Sequence, residues 1–405
     1  MQPGGRSNNF DALRFLFAAM VILNHSSFMI DRGEQRDAIY RLVNGQMDFG
    51  SVGVNAFFAI SGFLITLSWM RSPKVRPYLW KRVLRIYPGF LVCTALCLLI
   101  VAPLGGAPLH EVFGIREFAT HCVRALSLVA PRVSDAFLSN PTQGLNESMW
   151  TIHYEFLCYL MVPLVLLLSG KRAKLGVLAL FLVALGFHIA QGKYRLWDDE
   201  GRSLSVFGNT AIWPRFLTYY AAGMVVAQFK DVIPFRRSFA AVAATILIVT
   251  GLYTNYFYIA SATVGVYLLF YVAFEPAIPL SNFGKHGDFS YGLYLYGWPV
   301  QQLLLHNFPG MTPMQLFWPA LGLSLVLAVL SWHFVEEPCL RRKKVPSVPP
   351  AGDEGHLEQS LSEAPAVLHA TAGKDAAAGS RRTRPVDPDH ATHHGFGPLS
   401  ARPPV

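Results

Sequence analysis

Residues 10–30 read FDALRFLFAAMVILNHSSFMI, and no other stretch limits the possible folds as strongly. The run is apolar over the length a helix needs to cross a bilayer, about 20 residues. It nevertheless carries Asp11, Arg14 and His25. Charge within hydrocarbon is costly, so such residues face other helices or a wet cavity. Arg14 and His25 are eleven positions apart. At about 100° per residue they leave the same helical face, about 16 Å apart along the axis. Asp11 lies one turn before Arg14 and is placed to pair with its guanidinium. A structural reading also fits: the two charges set orientation at the headgroups, and His25 is a packed, hydrogen-bonded histidine.

The rest of the chain repeats this design. Of 405 residues 52% are hydrophobic and only 15% are charged, against roughly 25% in an ordinary soluble domain. The expected fold class is an all-α, polytopic membrane bundle of about ten transmembrane helices. The spans are expected at 10–30, 52–70, 86–103, 150–169, 175–191, 213–229, 239–254, 257–274, 289–305 and 314–335. The net charge of +9 does not argue for nucleic acid, because the basic residues sit between apolar runs. Clusters at Arg71–Arg85, Lys171–Lys174, Lys230–Arg237, Lys285 and Arg341–Lys344 follow the even-numbered spans, as the positive-inside rule requires of cytoplasmic loops. Both termini are therefore expected inside, although Arg32, Arg36, Arg195 and Arg202 fall in outer loops, the last two near Asp198, Asp199 and Glu200.

The first run is too long for a signal-peptide core and lacks a cleavage site. Between the third and fourth spans, residues 115–129 suit an amphipathic helix lying along the interface. Residues 1–345 read as the membrane domain and 346–405 as a disordered cytoplasmic tail rich in Pro, Gly, Ala and His. The scattered His390, His393 and His394, like the five cysteines, have no metal-site spacing, so no metal is expected.

Four features carry the polar chemistry: the Arg14/His25 stripe, the Arg82/Arg85 pair, Glu155 in the fourth span, and SYGLYLYGWPV in the ninth. Arg82 and Arg85, at i,i+3, place two guanidiniums on one face at the cytoplasmic edge, suited either to phosphates or to simple topology signalling. Glu155, near Trp150 and Tyr159, suits a buried partner for a cation. Tyr291, Tyr294 and Trp298 fall on one face, as pocket lining or helix packing.

Several of these motifs together resemble the acyltransferase-3 family of multi-pass membrane acyltransferases. FDALRFLFAAMVILNH resembles its opening helix, an arginine followed after ten residues by a histidine. VGVNAFFAISGFLIT resembles the second helix, and YLWKRVLRIYP the ArgXXArg motif. SMWTIHYEFLCYLMVP carries the Trp150, Glu155, Tyr159 and Pro163 pattern. SYGLYLYGWP and WHFVEEP, with Glu336 and Pro338, resemble the last two motifs. The resemblance covers about residues 10–340. One position departs from it: Gly297 stands where the family most often has histidine, which shifts weight as a base onto His25. The hydrolase-like second domain of some relatives has no counterpart in the short polar tail.

The resemblance implies an O-acyltransferase of a bacterial inner membrane. Its donor is cytoplasmic acyl-CoA, most often acetyl-CoA, with no tightly bound cofactor. Its acceptor is a hydroxyl of a carbohydrate, exopolysaccharide or glycolipid. Acyl transfer to an alcohol needs a base and a dipole for the oxyanion. His25 is accordingly assigned as general base, with a transient acyl-histidine as the other option. Arg14 would hold the donor or steady developing charge, Glu155 would orient a cation or the imidazole, and Arg82 and Arg85 would bind the CoA phosphates. Asp11, Trp150 and Tyr291 would support them. His25 lies about 22 Å into a core of about 30 Å, which favours an acceptor arriving from the outer side. The competing class is a secondary transporter using Arg14, His25 and Glu155 as a proton or substrate pathway.

Overall fold

The computed structural model describes residues 8–31, 37–194, 203–204 and 207–341. The loop residues Arg32, Arg36, Arg195, Asp198, Asp199, Glu200 and Arg202, the basic run Arg342–Lys344 and the tail lie outside the described residues. Helix α1 spans Phe10–Asp31 and α2 Phe49–Arg71. The Asp48 carboxylate caps α2 by accepting from the Ser51 amide at 2.6 Å, satisfying one of the donors a helix start leaves open. Helix α3 runs over Val75–Leu104 and includes a π-turn at Cys97–Val101. It begins eleven residues before the expected third span, so Arg82 and Arg85 lie on the helix itself. Lys and Arg are good helix formers, and Pro77 sits in the first turn, where its missing N–H is harmless.

Helix α4, Ile115–Leu126, is the expected amphipathic element, ending three residues early where Leu128 takes φ +56°. Ile115 is 92% exposed, so the apolar side faces away from the protein. The remaining long helices are α5 (Trp150–Ser169), α6 (Ala173–Tyr194), α7 (Trp213–Phe229), α8 (Arg237–Tyr253), α9 (Phe257–Phe274), α10 (Ser290–Asn307) and α11 (Pro313–Arg341). Between α6 and α7 the two-residue strands Ser203–Leu204 and Gly208–Asn209 pair antiparallel.

All ten expected apolar segments are helical. By length and composition, six helical stretches are able to cross a membrane: Phe10–Asp31, Phe49–Arg71, Val75–Leu104, Glu147–Gly192, Phe257–Phe274 and Pro313–Arg341. The fourth is 46 residues long, about twice what one crossing needs. It turns at Gly170, whose φ of +49° is open to glycine without Cβ strain. Helices α7 and α8 are shorter, at 17 residues each, and α10 equals α9 in length at 18 residues but is not among the six.

Small residues set the spacing at the centre. A Cβ at Gly62 would lie 2.0 Å from the Tyr220 carbonyl oxygen, and one at Gly223 2.0 Å from that of Ala59. Backbone therefore rests on backbone where α2 crosses α7, as the run of small residues on α2 suggests. Gly53 is close in the same way to the Phe17 carbonyl of α1. The segment after α4 folds back onto α10. Asn140 Nδ2 donates to Gln302 Oε1 at 2.7 Å, Gln302 Nε2 to the Gly144 carbonyl at 2.8 Å, and Asn146 Nδ2 to the Leu295 carbonyl at 2.9 Å.

Candidate active site

Buried charge collects where α1, α3, α10 and α11 meet. Arg14 and Arg85 both donate to Asp288 Oδ2, and Arg85 reaches Glu336 Oε2 at 3.4 Å. Ser290 Oγ donates to the other Asp288 oxygen at 2.5 Å, and Ser331 Oγ to Glu336 Oε1 at 3.1 Å. Two cations and two carboxylates thus satisfy one another, which a low-dielectric interior demands. Burial pushes the Asp288 carboxyl pKa up, but the Arg14 and Arg85 guanidiniums outweigh it and hold the group well below the usual carboxylate range. The partner expected for Arg14 was Asp11. Among the described residues no ion pair joins them; Asp11 instead packs against the 3₁₀ turn Phe283–His286, touching the position a Gly284 Cβ would take. A tertiary partner has displaced the local one.

Beside this cluster is a polar chamber of about 40 Å³, lined by Arg14, Thr151, Glu155, Ser290, Tyr291 and Tyr294 together with apolar neighbours. It has space for water-sized groups. Glu155 accepts from the hydroxyls of Ser61 and of Tyr159, the latter at 2.6 Å, rather than from a cation. Tyr294 and Thr151 share a hydrogen bond at 2.6 Å, and Tyr291 donates to the Ile86 carbonyl at 2.8 Å. Three expected site residues, Arg14, Glu155 and Tyr291, therefore line one space.

The others lie around it. Arg82 is near Arg85 in sequence but has different partners: Nη2 donates to Ser68 Oγ at 3.1 Å, and the guanidinium lies 5.5 Å and 6.0 Å from the Tyr78 and Tyr159 ring centroids. The guanidinium of Arg85 is taken by Asp288 and Glu336. Trp150, 39% exposed, stacks on Phe216 and does not line the chamber. His25 is also outside it, further along α1. Its ring meets Trp298 edge-on at 4.9 Å, and among the described residues neither ring nitrogen has a hydrogen-bond partner. The next turn is held by Gln301 Nε2, which donates to the Ile22 carbonyl at 2.8 Å and Ser26 Oγ at 2.7 Å. Trp298 is fixed in turn by its indole N–H on the Gly144 carbonyl at 2.9 Å. Gly297 is packed against α1: a Cβ there would meet Ile22 Cγ1 at 2.8 Å.

Sequence reasoning missed Asp288, the hub of the cluster, because it precedes the ninth apolar run inside a polar connection. Its one signal was a lone carboxylate bordering an aromatic membrane motif. It also missed Arg215, a cation in the first turn of α7 that had the same signature as Arg14.

Apolar helices around a charged, hydroxyl-lined interior mark a multi-pass membrane protein with an internal reaction or binding site. The chain belongs to the acyltransferase-3 family, whose acyltransferase domain matches residues 7–333, and it is an acyltransferase. It is 27% identical to an O-acetyl transferase of Shigella phage Sf6, over 83% of this chain and 97% of that one. It is 25% identical to nodulation protein 10 of Rhizobium leguminosarum bv. viciae, over 83% and 94%. To O-acetyltransferase OatA of Staphylococcus aureus it is 27% identical over 75% of this chain, matching 55% of that longer protein. No solved structure matches the chain.

Proposed function

We propose that the protein transfers an acetyl group from cytoplasmic acyl-CoA to a hydroxyl of a carbohydrate, exopolysaccharide or glycolipid at a bacterial inner membrane. The supporting observation is the convergence of Arg14, Glu155 and Tyr291 on one intramembrane chamber in a member of an acyltransferase family. His25 removes the acceptor's hydroxyl proton as the oxygen attacks the thioester carbonyl; the tetrahedral intermediate then collapses, breaking the C–S bond, and the CoA sulfur takes that proton from the His25 imidazolium and leaves as the thiol. An imidazole with no hydrogen-bond partner among the described residues, and steadied by Trp298, suits that role. Arg14, about three turns nearer the cytoplasm than His25, holds the acyl donor, and Glu155 with its two hydroxyl donors orders the chamber. Arg82 binds the CoA phosphates, since among the described residues its partners are two tyrosine rings and a serine, with no counter-charge. Arg85 assists from its carboxylate pair, and Asp11 and Trp150 support the surrounding helices. Ten crossings with both termini cytoplasmic bring the Arg82 end to the donor's side.

The test uses purified protein in nanodiscs with labelled acetyl-CoA and a glycolipid extract of the producing cells. Label should enter the extract with stoichiometric release of CoA and without an ion gradient. Gradient-driven solute uptake without CoA release would replace this reading with a transporter.

A further inference from the structure

A second cavity, of about 260 Å³, lies between α1, α2, α7, α8 and α9, apart from the chamber just described. Its wall is hydrocarbon, from residues such as Leu13, Phe17, Leu247 and Leu269, with polar atoms only from Asn55, Tyr219 and Ser261 among the side chains. The π-turn Ser261–Gly265 of α9 forms part of that wall; such turns recur at functional sites. Arg215 is not in the wall itself but stands directly behind Asn55, which is. Its Nε donates to Asn55 Oδ1 at 2.8 Å, and its Nη2 reaches the Ser51 carbonyl at 3.4 Å. The side chain is thus aimed inward onto α2 rather than outward to solvent.

What the guanidinium lacks, among the described residues, is an ion pair. Arg14 and Arg85 have Asp288, but no carboxylate lies within ion-pair distance of Arg215 among the described residues. Asp48, the acidic neighbour on α2's first turn, spends Oδ1 on the Ser51 amide. An inward cation with free N–H groups beside an apolar slot is complementary to one kind of molecule. The anion must be compact and rich in acceptors, and a hydrocarbon tail must follow from it. We propose that this cavity is a lipid-binding site, with the lipid's phosphate on Arg215 and Asn55 and a length of its tail along Leu13, Phe17 and Leu269. The site does not depend on the acyl-transfer reading and uses none of its residues.

The experiment adds probes to the purified full chain in neutral maltoside detergent and reads binding by native mass spectrometry and thermal stabilisation. Dodecyl phosphate should bind and stabilise. Inorganic phosphate, which lacks a tail, and dodecanol, which lacks a charge, should each bind at least about tenfold more weakly. Arg215→Gln should weaken dodecyl phosphate about ten- to hundred-fold, and Arg215→Lys less, because one ammonium replaces a forked donor. Leu269→Trp fills the slot without touching the cation, so it should block the alkyl phosphate even where Arg215→Gln proves too unstable to purify. Equal binding of dodecanol, or of inorganic phosphate, overturns the proposal, as does undiminished dodecyl phosphate binding in a folded Leu269→Trp protein. Acetyl transfer measured in parallel reports on the other site, so loss of lipid binding with activity retained separates the two ideas.

Discussion

Arg82 and Arg85 occupy adjacent turns of one helix, yet substitution should affect them through different physics. Arg85→Gln leaves Asp288 and Glu336 short of a buried counter-charge. Breaking such a pair costs about 3–5 kcal/mol, so the variant should lose folded yield in detergent-solubilised size-exclusion runs. Arg82→Gln strands no carboxylate among the described residues. It should keep its yield and raise the apparent KM for acyl-CoA roughly ten- to hundred-fold with acceptor saturation unchanged. His25→Gln keeps volume and hydrogen bonding but cannot take a proton, so kcat should fall by about 10² to 10⁴; near-normal turnover would make His25 structural. Asp288 gives a pH signature. Its pKa is depressed in the folded protein, so its contribution is complete above the unfolded value near 3.9 and withdraws below it, by up to about 1.4 kcal/mol per pH unit. Thermal melts of wild type and Asp288→Asn should differ at pH 7 and converge as pH falls below about 4. At this scale the sequence revealed Arg14, His25 and Glu155, because a charge inside an apolar run declares itself. It hid Asp288, because the partner of Arg14 lies 274 residues away and no local spacing encodes it.

Among the helices, lengths and order were readable from apolar run length, and the small residues of α2 were readable as a packing face. The start of α3 was not, since hydropathy marks where hydrocarbon begins and says nothing of where a basic helix begins. At the α2–α7 crossing backbone meets backbone, so no side chain can give way. Gly62→Val would drive a side chain into the Tyr220 carbonyl, and overpacking of that kind typically costs about 1–3 kcal/mol or more. Solubilised yield and melting temperature should both drop. Gly322, whose Cβ position is empty, should accept Ala without loss and serves as the control.

For the whole molecule, the ten-crossing arrangement is tested by reporter fusions at Gly310 and after Lys344, which should read outside and inside. Identical readings at both ends of α11 would remove that arrangement. The charge hub also has a consequence for biogenesis. Arg14 emerges from the ribosome 274 residues before Asp288, an interval of about 15–55 s at ordinary elongation rates of about 5–20 residues per second. Throughout that time the first helix carries a cation into the bilayer with its final partner not yet synthesised. Nascent chains stalled before Asp288 should therefore be held by insertion machinery or degraded, and those stalled just beyond α10 should be the first to become protease-resistant.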